Sequence, residues 1–140
     1  MTLAFWVRLL RGGNDLNGVT EIMIQGAGGA AGVNIVVVSS TQLCIEIELN
    51  TYYWRLCHNS IPQTVFREWF FLSVLFDPTT SALVSFLNEK RVVGSTTNRI
   101  MGTAHQLLFG GNQKFLLDDV LFFPKFSTDE MISTFYNTSK

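Results

Sequence analysis

The chain reads as all-β: an antiparallel β-sandwich with one short helix near its C-terminus. Three observations carry this reading. Short runs rich in aromatic and β-branched residues recur along the sequence, separated by clusters of Gly, Asn, Asp, Pro, Ser and Thr. Hydrophobic residues make up 47% of the 140 residues and charged residues only 15%, against roughly 25% charged in an average globular chain. A helix-type start occurs in one place, close to the end. A chain of this length is expected to form a single domain spanning residues 1–140. It is long enough to bury roughly two-thirds of the surface its unfolded form exposes.

In chain order the expected strands are Leu3–Leu9, Thr20–Ile24, Asn34–Ser39, Gln42–Leu49, Tyr52–Leu56, Trp69–Phe76, Leu83–Leu87, Gln106–Phe109 and Phe115–Phe123. The links between them are turn-rich: Gly12–Gly18, Gly26–Gly32, His58–Thr64, Asp77–Ser81 and Gly94–Thr103. Two hairpins stand out. Trp69 to Asp77, a short polar turn, and a second apolar run ending at Asn88 form one. The other can be put in register. With Asn50-Thr51 as the turn, Leu49 faces Tyr52, Ile47 faces Trp54 and Ile45 faces Leu56 on one side. The other side then pairs Glu48 with Tyr53, Glu46 with Arg55 and Cys44 with Cys57. A slip of one residue would mix the faces. Counting outward from a two-residue turn puts Cys44 and Cys57 at a non-hydrogen-bonded pair, with Cα atoms ~4.5 Å apart, at the short end of the disulfide range. A Cys44–Cys57 bridge is therefore expected. Near the end, Ser127-Thr128-Asp129-Glu130 offers a hydroxyl cap with Glu130 three residues on, and Met131, Ile132 and Phe135 follow at helical spacing.

Composition excludes several classes of function. Net charge is −1, with Lys and Arg scattered, so neither nucleic acid nor an anionic membrane surface is an expected partner. The uncharged stretch Ile22 to Ile45 is interrupted by Gln25, Asn34, Ser39, Ser40, Thr41 and Gln42. It is not apolar enough to span a bilayer. Met1 leads directly into an apolar run with Arg8 inside it, so no signal peptide is expected at this start. A domain within a longer chain or larger assembly is the expectation, since low charge leaves little polar cover for its outside.

Several motifs invite chemistry and have plainer readings. Gly26, Gly28 and Ala31 fit G-x-G-x-x-A after a strand, but the nucleotide-binding version needs a helix next, and Val33 to Val38 is strand-like. The segment reads as an inter-strand loop. His58 and His105 have no metal-spaced neighbours, and no nucleophile motif surrounds Cys57 or His105. A glycosidase of this architecture needs two facing carboxyls. Glu46 and Glu48 alternate on one strand, but no third acid follows in step and Glu46 is set to pair with Arg55. Asp118 and Asp119 are adjacent, so their side chains diverge. No catalytic residue is assigned and no enzyme is expected. Trp6, Trp54 and Trp69 could form a sugar-stacking platform, but on strands this apolar each is expected in the core, where a large aromatic contributes most.

Taken together these segments resemble laminin-G-like and pentraxin-like domains, the concanavalin-A-type jelly rolls. Thr2-Leu3-Ala4-Phe5-Trp6-Val7-Arg8 is similar to that family's first F-W strand, and Trp69–Asp77 with Val84–Val92 to its central hairpin. Leu107-Leu108-Phe109-Gly110-Gly111 is similar to its L-x-I-G-G segment, and Leu117 to Phe123 to its I-D-E-V-R-I-Y strand. Phe126 to Ile132 is similar to the helix start that follows. Two departures matter. The family's N-G turn reads Asn88-Glu89 here, and a Glu at positive φ would cost on the order of 1 kcal/mol, so a wider turn is expected. The family's flanking strands are also missing from both ends, which leaves sheet edges for a neighbouring domain or subunit to cover.

The resemblance implies a non-catalytic, adhesion-type module that binds protein or glycan, with an architectural domain of a larger assembly as the alternative. No cofactor is required. Calcium, which this family holds through loop oxygens, has only the sparse loop candidates Asp15, Asn17, Asn112 and Gln113. The opposed cysteines and the sequon at Asn137 (Asn137-Thr138-Ser139) suit an extracellular or cell-surface location.

Overall fold

The computed structural model describes residues 1–10, 20–26, 31–49, 52–77, 79–80, 82–95, 107–111, 115–123 and 125–140. Among these, one five-stranded sheet is built from β1 (Thr2–Leu9), β6 (Phe70–Asp77), β7 (Ala82–Leu87), β8 (Lys90–Ser95) and β10 (Phe115–Phe123), in the order β10-β1-β6-β7-β8. The second sheet contains β2 (Thr20–Gly26), β3 (Ala31–Ser39), β4 (Gln42–Leu49), β5 (Tyr52–His58) and β9 (Leu107–Gly111), in the order β5-β4-β3-β2-β9. Every strand pairing is antiparallel. One helix, α1, runs from Asp129 to Ser139. The expected all-β sandwich with a C-terminal helix is what forms.

Period-two alternation builds the interior. Leu3, Phe5, Val7 and Leu9 of β1 point into a core shared with Phe70, Leu72, Val74 and Phe76 of β6. The facing sheet supplies Val33, Ile35, Val37, Leu43, Ile45, Ile47, Trp54 and Leu56. Each fully buried Leu, Ile or Phe contributes roughly 2–3 kcal/mol by removing apolar surface from water. Where β8 meets β5, a Cβ on Gly94 would lie 3.0 Å from Leu56 Cδ1, so the absent side chain lets the sheets close there.

The first sheet is covered on its second face as well. Ala4, Phe71, Leu75, Val84 and Phe86 form a smaller core with Ile132 and Tyr136 of α1. Ile132 and Tyr136 are four residues apart, so one face of the helix lies on the sheet. This accounts for the unbroken burial of Phe70–Phe76 and for much of the low charge. Thr128 caps α1, its Oγ1 accepting from Met131 N–H at 3.3 Å. The cap thus falls one residue later than the sequence suggests. Ser127 is buried instead, its N–H donating to Thr2 Oγ1 at 2.8 Å, while Thr2 Oγ1 donates to Lys125 O at 2.7 Å.

The β4–β5 register is the one read from sequence, from Leu49↔Tyr52 through Ile47↔Trp54 and Glu46↔Arg55 to Cys44↔Cys57. Cys44 and Cys57 are disulfide-bonded, with Cα atoms 4.1 Å apart, the close spacing of a non-hydrogen-bonded pair. Glu46 Oε1 lies 3.6 Å from Arg55 Nε.

Other expectations are corrected as well. Lys90–Ser95 is a strand, β8, although its leading Lys90-Arg91 hid the pattern; charged residues of this kind suit a sheet edge. The link His58–Thr64 contains a 3₁₀ turn starting at Gln63 and running to Arg67. It plants Phe66 edge-on against Phe70 at 5.6 Å. The Asn88-Glu89 turn is not widened, since Leu87 pairs with Lys90 directly. Asn88 alone takes the positive φ, 51°, a conformation Asn tolerates better than Glu. Of the three tryptophans expected in the core only Trp54 is buried there; Trp69 is 38% exposed and Trp6 is partly buried against the second, smaller core.

His58, by contrast, is buried between the sheets. Its Nε2 is 2.9 Å from Ser85 Oγ of β7, a polar link across the core. Burial, and secondarily the charge of Lys90, lowers its pKa from 6.5 to about 4. Adjacent Cys57 lies on the opposite face of β5, within the disulfide, and has no thiol to offer as a nucleophile.

Candidate functional site

Where the C-terminal end of α1 lies over the outer face of the first sheet, an open groove of about 450 Å³ remains. That is within the range of small-ligand sites. One wall is aromatic. Trp6, on the outward side of β1, stacks on Tyr136 of α1 with ring centroids 5.5 Å apart and planes 20° apart. It also meets Phe71 at 5.6 Å, tilted by 59°. Its indole Nε1 donates to Ser139 Oγ at 2.9 Å, and Ser139 Oγ donates to Phe135 O at 2.6 Å. The ring is therefore held by packing on its faces and a hydrogen bond at its edge. Trp69, just before β6, lines the same groove and presents its ring to solvent.

The polar groups come from irregular backbone. Asp118 lies opposite Trp6 across the β1–β10 pair, at the point where the register shifts. Ala4 pairs with Leu121 and Trp6 with Asp118, so β10 carries one residue more than β1 across this interval, a bulge. Asp119 takes a φ of 47° there, and its N–H donates to Asp118 Oδ1 at 2.9 Å. The bulge holds the Asp118 carboxylate at the groove. Asn88 contributes from the β7–β8 turn. Its backbone N–H donates to Phe71 O at 2.9 Å, and its Oδ1 accepts from Phe71 N–H at 2.9 Å. Asn88 lines the groove, and its amide nitrogen is a donor not used in that bond. Lys140 closes the rim, its ammonium 4.9 Å from the Tyr136 ring centroid.

This combination of aromatic faces, a carboxylate acceptor, an amide donor and one cation can hold a ring-shaped polar ligand. A sugar presents an apolar face and a rim of hydroxyls to such a site. Trp6, Asn88 and Asp118 were each legible in sequence as residues of other kinds: core, turn and diverging acid. Tyr136 and Lys140 carried no sequence signal beyond the end of a helix. Among the described residues no three His, Cys, Asp or Glu side chains come together to hold a metal ion. The calcium candidates Asp15, Asn17, Asn112 and Gln113 lie outside the described residues, as do His105 and the middle of the Gly-rich loop. Asn137 is exposed on α1, one residue beyond Tyr136. No helix of the described residues is long and apolar enough to cross a membrane.

The same fold occurs in solved binding domains. The binding domain of botulinum neurotoxin DC in complex with SialylT aligns with a TM-score of 0.77 at 17% identity, over 99% of this chain and 35% of that one. The same toxin's binding domain in complex with rat synaptotagmin II aligns at 0.70 and 17%, again over 99% and 35%. The CBM40 of Ruminococcus gnavus IT-sialidase bound to α2,6 sialyllactose aligns at 0.63 and 12%, over 96% of this chain and 82% of that one. This chain spans about a third of the toxin binding domains it matches. At these identities the likeness concerns the fold. No protein-family model and no curated protein sequence matches the chain.

Proposed function

We propose that this domain is a non-catalytic binding module that takes a glycan in the groove between Trp69 and the end of α1. The single observation that carries the reading is the solvent-facing Trp69 ring beside the Asp118 carboxylate and the Asn88 amide. A stacking surface with convergent polar groups is what saccharide recognition needs. Two solved proteins of the same fold support it, since their complexes are with SialylT and with sialyllactose. Glu46 is engaged with Arg55 and Asp118 with its own bulge, so neither is arranged as half of a hydrolytic pair.

The finer assignments are part of the same proposal. The laminin-G/pentraxin-like resemblance and an adhesion role fit a sandwich that displays its ligand site on an outer face. An extracellular location is supported by the Cys44–Cys57 disulfide and by the exposed sequon residue Asn137. A second reading, an architectural domain held by neighbours, has its own support along the edge strand β10. There Val120 is 48% exposed, Phe122 40% and Phe123 38%, with Phe126 nearby at 41%. Such a run on a strand that ends its sheet among the described residues suits a covering protein surface.

A panel of neutral, sialylated and amino oligosaccharides, read by calorimetry against the purified domain, tests the proposal. At least one saccharide should bind without turnover, and Trp69→Ala should abolish that binding while leaving the melting temperature unchanged. Silence across the panel, or binding untouched by Trp69→Ala, would defeat it.

A further inference from the structure

The groove's charges and ring faces say more about its ligand than its shape does. Among the described residues its lining combines three aromatic rings, Trp6, Trp69 and Tyr136, with one side-chain carboxylate, Asp118. Aromatic faces attract cations through the ring quadrupole when the charge lies within about 6 Å of the centroid. The protein already uses its own groove in this way: the Lys140 ammonium sits 4.9 Å from the Tyr136 centroid. An ammonium at the groove is thus a favourable occupant. Lys140 stands where a ligand's charge would gain most.

Asp118 adds the counter-charge. Its Oδ1 is committed to the Asp119 N–H, but a carboxylate has two oxygens and several lone-pair directions. That leaves Asp118, which lines the groove, with acceptor capacity for a ligand donor. An ammonium donor there forms a charge-assisted hydrogen bond, stronger than a neutral hydroxyl does. A carboxylated sugar would instead set like charges against Asp118 and would need Lys140 to leave Tyr136 to pair with it. Trp69, the most exposed of the rings, is left to stack on the apolar face of the sugar.

We propose that the preferred ligand is a cationic amino saccharide, a hexosamine with a free ammonium group, which displaces Lys140 from the Tyr136 ring and pairs with Asp118. This rests on the glycan-binding reading and narrows it. It makes an unusual sign prediction. Removing a positive residue from the rim should strengthen binding of a positive ligand, and should weaken binding of a negative one.

The test uses a fully deacetylated chitosan tetrasaccharide, the matching N-acetylated chitin tetrasaccharide, and sialyllactose, titrated against the intact domain. Acetylation removes the charge at the same ring position and keeps the sugar, so it isolates the ammonium. The chitosan probe should bind at least about tenfold more tightly than its acetylated counterpart. Lys140→Gln should tighten chitosan binding by about threefold. Asp118→Asn keeps an acceptor for the Asp119 N–H and should weaken chitosan binding by about tenfold. Thermal melts of both variants check that the fold is retained. Equal binding of the charged and acetylated probes, or weaker chitosan binding in Lys140→Gln, would overturn the amino-sugar assignment while leaving glycan binding intact. Binding of none of the three, with no Trp69 response, would overturn both readings together.

Discussion

Acidification should loosen the sandwich through His58. The ring is fully buried between β5 and β7, its Nε2 is engaged with Ser85 Oγ at 2.9 Å, and its Nδ1 has no hydrogen-bond partner. Protonation would make both nitrogens donors and place a charge in the core near Lys90. Burial therefore lowers the folded-state pKa to about 4, against 6.5 for the free side chain. Well above pH 6.5 His58 is neutral in both states and adds no pH dependence of its own. Between 6.5 and about 4 the unfolded chain takes up a proton that the folded one refuses, so stability falls as pH falls. The two values predict a loss of about 1 kcal/mol near pH 5.5 and roughly 2–3 kcal/mol near pH 4.5. Urea unfolding followed by tryptophan fluorescence at a series of pH values measures it. His58→Gln retains a hydrogen-bonding group for Ser85 but does not titrate, so its stability should fall less than the wild type's across that window, by the His58 contribution. Asp77, held low by the Thr79 N–H and the Thr80 hydroxyl, adds acid sensitivity of its own only below its ordinary 3.8. Parallel pH profiles for the wild type and His58→Gln would refute the reasoning.

Three further predictions concern the frame of the site. Thiol titration of the native, unreduced protein should find no free cysteine, and a Cys44→Ser/Cys57→Ser variant should lose about 3 kcal/mol, from a closed loop with a sequence separation of 13; two reactive thiols in the native protein would contradict the bridge. Ile132→Ala should cost about 2–5 kcal/mol in denaturant unfolding, because it opens the second core beneath α1; a loss under about 1 kcal/mol would mean the helix is not packed on the sheet. Asn88→Ala should cost about 1–2 kcal/mol, from the lost acceptor for Phe71 N–H and the strained φ of 51°. Asn88→Gly should recover part of that by relieving the backbone, and no recovery would count against the turn geometry.

The frame was legible because alternation is a local signal. Leu49 to Tyr52 sets a register, and every pair down to Cys44↔Cys57 then follows from it. The β6–β7 hairpin was equally readable from its runs of Phe, Leu and Val. What failed depended on contacts between distant segments. Thr2 claims the Ser127 N–H and so moves the helix cap to Thr128. Lys90-Arg91 disguised an edge strand whose Val92 still packs on the core. The groove was least legible, because it exists only where α1 ends over β1, bringing Tyr136 and Lys140 to Trp6 across more than a hundred residues of chain. A Trp in a strand-like run reads as core, and nothing local distinguishes buried Trp54 from exposed Trp69. Asp118 gained its place from a bulge, and a bulge appears only when two strands are laid side by side.

Trp6, Trp54 and Trp69 provide a direct readout, since two of the indoles line the groove and the third is core. Chitosan tetrasaccharide and sialyllactose would each be titrated into nitrogen-15-labelled protein while the three indole N–H resonances are followed. Binding in the groove predicts that at least one saccharide moves the Trp6 and Trp69 signals together and saturably, with Trp54 stationary. Saturable binding that leaves both Trp6 and Trp69 unmoved would place the ligand elsewhere and contradict the assignment.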